Sequence, residues 1–75
     1  IRDRGYAKDA LTLLCEYAFD FLRMRQLFVH IATDNEASMR LFTSCGFVSC
    51  GLLKDWLCIE GYFKDVALLQ RIRND

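Results

Sequence analysis

Seventy-five residues set an upper bound of one small domain, near the lower size limit for independent folding. Ten Lys and Arg balance ten Asp and Glu, so the positive excess that phosphate-backbone binding needs is missing, and nucleic acid is excluded as a partner. The composition is globular, at 53% hydrophobic, and contains neither a signal peptide nor a long uncharged apolar run, so nothing points to secretion or to a membrane. Zero net charge also leaves little colloidal repulsion, and self-association into a homo-oligomer is expected. The abrupt start at Ile1-Arg2-Asp3-Arg4-Gly5 reads as a piece of a longer chain.

In chain order, the first element is a helix from Tyr6 to about Arg23. Ala7, Leu11, Leu14, Ala18 and Phe21/Leu22 recur at steps of three and four, as one helical face requires. Gly5, just before it, suits a tight backbone entry. Leu27 to Ala32 is a compact run of β-formers, apolar on nearly both faces, which predicts an interior strand. Thr33-Asp34-Asn35 supplies turn and cap chemistry: Asn35 is a favoured N-cap, and Thr33 with Glu36 has capping-box spacing. A shorter helix through Ala37, Met39 to Phe42 and Cys45 follows, with Gly46 as its left-handed terminator. Phe47 to Ile59 and Tyr62 to Ile72 then read as a long hairpin turning at Glu60-Gly61, with a bulge or bend at Gly51. So small and so apolar a set of elements needs further strands, supplied by missing residues or by a second copy.

The chemistry-bearing residues are few. Cys15, Cys45, Cys50 and Cys58 form no CxxC pair, and His30 is the only imidazole, so no metal site is expected. Four reduced thiols, mostly packed as small hydrophobes, suit a cytoplasmic protein. The front of the long helix, from Arg2 to Lys8, is a candidate anion site: free amides and the positive dipole end converge there. Gly5 admits a ligand to the backbone and Arg2 and Arg4 add charge, whereas Asp3 has to point away. Asp34 and Glu36 qualify as general bases only with raised pKa values. His30 reads as a packed core or edge histidine, Lys54-Asp55-Trp56 as a solvent-facing strand segment, and Tyr62 as a hairpin aromatic.

Two segments together carry a resemblance. RDRGYAKDAL is similar to the R/Q-x-x-G-x-G/A acyl-CoA-binding motif of the GNAT N-acetyltransferases, with Arg2, Gly5 and Ala7 on its defining positions. DNEASMRLFTSCGF is similar to a later segment of that family, through Asp34, Asn35, Ala37, Leu41, Gly46 and Phe47. The tail, with Gly51, Trp56, Glu60-Gly61 and Asp65, resembles the RimJ/RimL and spermidine acetyltransferase branch.

The resemblance implies an α/β (α+β) acyl-CoA N-acyltransferase fold, of which residues 1–75 form the C-terminal half. Helix, strand, helix and β-hairpin would belong to a mixed sheet flanked by helices. It implies an enzyme that transfers acetyl from acetyl-CoA to a primary amine, with a polyamine such as spermidine favoured over a protein amine. Amides of Arg2, Asp3, Arg4, Gly5, Tyr6, Ala7 and Lys8 would hold the CoA pyrophosphate, Asn35 would contact the pantetheine arm, and Ser38 and Arg40 would line the channel. Phe42 departs from the pattern. It stands where the family usually has a tyrosine that protonates the departing thiolate, so a slow enzyme or a non-catalytic CoA-binding module follows. Thr43, Ser44 and Cys45 point elsewhere on the helix and do not replace it. With half of the cofactor cleft missing, the 75 residues alone are expected to be inactive.

Overall fold

The early apolar stripe forms its helix, though not to the expected length. In the computed structural model, which describes residues 4–73, α1 spans Arg4–Glu16. The chain then widens into a π-helical turn over Tyr17–Phe21, closed by the Leu22 N–H on the Tyr17 carbonyl at 3.0 Å. The buried face already runs through Leu11 and Cys15 rather than Leu14 before that turn, which rephases the stripe only beyond it. Leu11, Cys15, Ala18 and Phe19 are buried, while Leu14, Phe21 and Leu22 are exposed, against the face predicted from a regular 3.6-residue period. Gly5 lies within the first turn of α1 rather than ahead of it.

β1 (Gln26–Ala32), α2 (Glu36–Ser44), β2 (Val48–Ile59) and β3 (Tyr62–Ile72) follow in the expected order. The sheet order is β1-β3-β2, and both pairings are antiparallel. Among the described residues β1 is therefore an edge strand, not the interior strand that its composition predicts. On its second face Phe28 and His30 are exposed, whereas Leu27, Val29 and Ile31 lie under the helices. The hairpin turns at Glu60 (φ 51°) and Gly61 (φ 82°), the two positive φ angles of a type I′ turn.

The core lies between the two helices and one face of β1 and β3. Leu11, Cys15 and Phe19 meet Ile31, Ala67 and Leu69, with Cys45 and Phe47 closing the end of α2. Leu69 and Cys15 are fully buried. The described residues form a slab of 41 × 32 × 16 Å, as one helix layer on one sheet would. No described helix is long and apolar enough to cross a membrane.

α2 is terminated as its Gly predicts. Gly46 takes φ 94°, the Phe47 N–H bonds the Phe42 carbonyl at 3.0 Å, and the Gly46 N–H bonds the Thr43 carbonyl at 3.1 Å. This pair of bonds is the Schellman arrangement. At its start, Asn35 caps the helix by accepting the Ser38 N–H at 3.2 Å. Thr33 takes no part in the cap, because its N–H is bonded to the Asp65 carbonyl across the sheet at 3.0 Å.

Candidate coenzyme groove

α1 runs back along the sheet before β1, and α2 leaves from the far end of β1, so the front of α1 and the start of α2 lie at one end of the molecule. A groove of about 640 Å³ opens between them. Ala7 and Lys8 line it from α1, and Ala37, Ser38, Arg40, Leu41 and Ser44 line it from α2. The first-turn amides of α1 have no intrahelical partners, and no described acidic residue occupies that turn to oppose the dipole. The groove therefore joins unpaired amides, two cations and small side chains, a surface suited to an elongated anionic ligand with an apolar arm.

Four of the sequence-predicted residues, Ala7, Lys8, Ser38 and Arg40, are brought together in this groove. Arg4 and Gly5 contribute helical backbone at its head, and Tyr6 is exposed beside them. Arg2 and Asp3 lie outside the described residues. Asn35 is next to the groove, with its carboxamide oxygen committed to the helix cap. Arg40 pairs with Glu36 at 3.7 Å, both side chains being well exposed, so the guanidinium is available to an anion. Ala37, Leu41 and Ser44 were missed as lining residues. Their common face with Arg40, at steps of three and four, was the signal that could have found them.

Phe42 does not line the groove. Its half-buried ring meets the Phe47 ring edge-on, with centroids 5.2 Å apart, and packs on the core. Ser44 does line it, and its Oγ donates to the Leu41 carbonyl at 2.7 Å. Asp34 is not a base with a raised pKa. The Lys64 ammonium, hydrogen-bonded to it at 2.6 Å, lowers its carboxyl below the ordinary value. His30 is exposed on β1, edge-on to Phe28 at 6.3 Å.

The hairpin holds two irregularities. One residue, Cys50, is extra between the Ser49–Leu69 and Gly51–Leu68 pairs, so the bulge predicted at Gly51 is present. A larger slip separates Leu53 from Leu57, where Lys54-Asp55-Trp56 is exposed as expected but breaks the ladder instead of continuing it. Asp55 adopts φ 49° there. Its N–H donates to Asp65 Oδ1 at 2.9 Å, while Lys54 pairs with Asp65 Oδ2 at 3.3 Å. The Asp55 amide, aided by Lys54, holds the Asp65 carboxyl below its ordinary pKa. The thiols divide evenly: Cys15 and Cys45 are buried, Cys50 and Cys58 exposed, and all four are free, so burial is less general than predicted.

A helix front and a capped second helix flank one groove on an antiparallel sheet, part of a mixed α/β fold. Residues 1–48 match the family described as Acetyltransferase (GNAT) domain, and the chain belongs to that family. It is 30% identical over 63 residues to the spermidine N(1)-acetyltransferase of Vibrio cholerae, an overlap that covers 84% of this chain and 36% of that protein. It is 26% identical to the uncharacterized N-acetyltransferase p20 of Bacillus licheniformis, covering 96% of this chain and 40% of that protein. Among solved structures, a spermidine N-acetyltransferase SpeG chimera from Vibrio cholerae and hSSAT superposes with a TM-score of 0.90 at 27% identity. That match covers 95% of this chain and 43% of the chimera. The chain thus spans about two-fifths of the length of these relatives.

Proposed function

We propose that this chain forms the coenzyme-holding half of an N-acetyltransferase that moves acetyl from acetyl-CoA to a primary amine, a polyamine such as spermidine being favoured. The observation that carries the reading is the convergence of Ala7, Lys8, Ser38 and Arg40 on one groove beside the α1 amides. The Vibrio cholerae spermidine N(1)-acetyltransferase supports the polyamine preference. When bound, acetyl-CoA supplies an acyl group activated as a thioester. The chain's own part is then to bind: the α1 amides from Arg4 onward, with Lys8 and Arg40, meet phosphate charge, and Ala37 and Leu41 give the pantetheine arm an apolar wall.

Proton supply is the weak point of the reaction. Phe42 has none to give, and Ser44 Oγ already donates to a carbonyl. A thiolate leaves tolerably without help, since a free thiol has a pKa of about 8.5. Activity is therefore slow rather than absent, and Phe42→Tyr in the full-length protein tests the position: a rise in turnover of about 10²-fold requires the ring to leave its packing on Phe47 and face the groove. The measurement is acetyl-CoA turnover with spermidine and with a peptide amine, beside calorimetry with CoA. Phe42 also favours a second reading, a module that binds CoA without catalysis. Binding with no turnover on any amine selects that reading; absence of CoA binding overturns both.

The setting that goes with this reading is a cytoplasmic homo-oligomer. Four free thiols support the reducing compartment, and the exposed Trp56, Ile59, Tyr62 and Phe63 of the hairpin support self-association. A strictly monomeric species in sedimentation velocity removes the oligomer.

A further inference from the structure

We propose that Arg71 is a positioning residue for the groove, setting the spacing of α1 and α2 from the sheet side and thereby the affinity for the coenzyme. The inference rests on the reading of the groove as the acetyl-CoA site. Arg71 lies near the end of β3, on the face that the helices cover, opposite Leu27 of β1. Its guanidinium reaches three elements at once. Nη1 donates to the Cys45 carbonyl at 2.9 Å, at the C-terminal end of α2. The group also lies over the Phe19 ring, with Cζ 5.3 Å from the centroid, and so holds the π-helical turn that follows α1. It is beside the Cys15 thiol as well, where its charge partly offsets the effect of burial on that thiol.

The same place is where the two helices touch. Thr12 Oγ1 and Cys45 Sγ are 4.0 Å apart. Thr12 is one turn beyond Lys8 on the same face of α1, and Ser44 precedes Cys45 on α2; Lys8 and Ser44 both line the groove. Arg71 therefore grips the closed end of a wedge whose open end is the groove. Gly46 lies directly against that grip: a Cβ at this position would stand in ordinary van der Waals contact with Arg71, 3.4 Å from Nε. A carbonyl left without this donor at the end of α2 would be free to turn toward water, and the helix with it. Lys8 and Ser44, which line the groove, lie one turn and one residue from this contact, so its loosening is expected to reach the coenzyme affinity.

The test is steady-state kinetics and CoA calorimetry on the full-length protein and its variants. Arg71→Met keeps the side chain's bulk and removes its donors. It is expected to raise the KM for acetyl-CoA and the Kd for CoA about tenfold, with kcat and the amine KM within about twofold of wild type. Arg71→Lys retains a cation over Phe19 but lacks the guanidinium fork, so about a threefold rise is expected. If Arg71→Met does not fold, the lysine variant decides. A lower Tm with unchanged CoA affinity overturns the inference, as does a loss shared equally by kcat and both KM values. Wild-type protein that binds no CoA overturns the groove reading and this inference with it. Wild type and Arg71→Met binding CoA equally well overturn the inference alone.

Discussion

Two glycine turns, both at positive φ, sit in opposite surroundings. Gly46 (φ 94°) ends α2 under Arg71, with a Cβ position only 3.4 Å from Nε, whereas Gly61 (φ 82°) turns the hairpin with nothing within 4 Å. The contrast holds for the regions around them. Beside Gly46, Cys45 and Phe47 are buried and belong to the core. Beside Gly61, Ile59, Tyr62 and Phe63 are exposed, and only turn chemistry and strand pairing hold the shape. Local sequence can therefore specify a turn equally well in both settings. Packing is what makes one of them answerable to the rest of the molecule.

The largest effect that tests this contrast is expected at Leu69. Its side chain is 1% exposed on the helix-covered face of β3. Leu69→Ala should cost about 2–5 kcal/mol in urea unfolding, which is enough to unfold so small a domain at room temperature. Ile59→Ala in the outer hairpin, where the side chain is 46% exposed, should cost less than about 1 kcal/mol. Equal losses would mean that the hairpin is covered in solution, as self-association would cover it.

Next come the glycines themselves. Alanine at either position must adopt the left-handed region, at about 1–2 kcal/mol. Gly46→Ala should be the more costly, because the turn that must absorb the strain abuts the buried Cys45 and Phe47, although the added methyl meets Arg71 only at ordinary van der Waals distance. Thermal melts of the two variants measure the difference; a larger loss at Gly61 would put the strain of that turn, not packing, in control. Smaller again is Asn35→Ala, which leaves the Ser38 N–H without its cap acceptor and should cost about 1 kcal/mol by the same melts.

How much of this was legible in the sequence follows the same division. The Asn35 cap, the Gly46 terminator and the Glu60-Gly61 turn are local, and each residue type carries its own backbone preference. Of the groove residues, Ala7 and Lys8 were legible as a helix front, whereas Ser38 and Arg40 were legible only through the family resemblance. The π-helical turn was not, since a fixed 3.6-residue period cannot register a local widening, and beyond it Phe19 is buried where Phe21 was expected. Within regular α1, Cys15 rather than Leu14 faces the core, a choice of phase that spacing alone left open. The edge position of β1 was hidden by apolar residues on its open face. Arg71 was invisible for a different reason. Its partners Cys45, Phe19 and Cys15 are 26, 52 and 56 positions away, and an arginine near a strand end reads as solvated.

The smallest expected effect concerns the irregular stretch opposite Asp65, and pH exposes it. Asp65 accepts the Asp55 N–H and pairs with Lys54, and its carboxyl is held below the ordinary value. A carboxyl with a lowered folded-state pKa stabilises the fold above its unfolded pKa, about 3.9, and that contribution disappears as pH falls through the lower folded value. Wild-type Tm should therefore be insensitive to this group from neutrality to about pH 5 and decline below about pH 4. Asp34, lowered by Lys64, adds to the same acid limb. Asp65→Asn keeps an oxygen for the Asp55 amide but cannot titrate, so its melting curve should lose part of that slope while staying close to wild type at pH 7. An unchanged acid slope in the variant would assign the whole limb to Asp34 and other carboxyls. The irregularity would then be held by the hydrogen bond alone, and charge would have no part in shaping the larger of the two departures of the hairpin from its ladder.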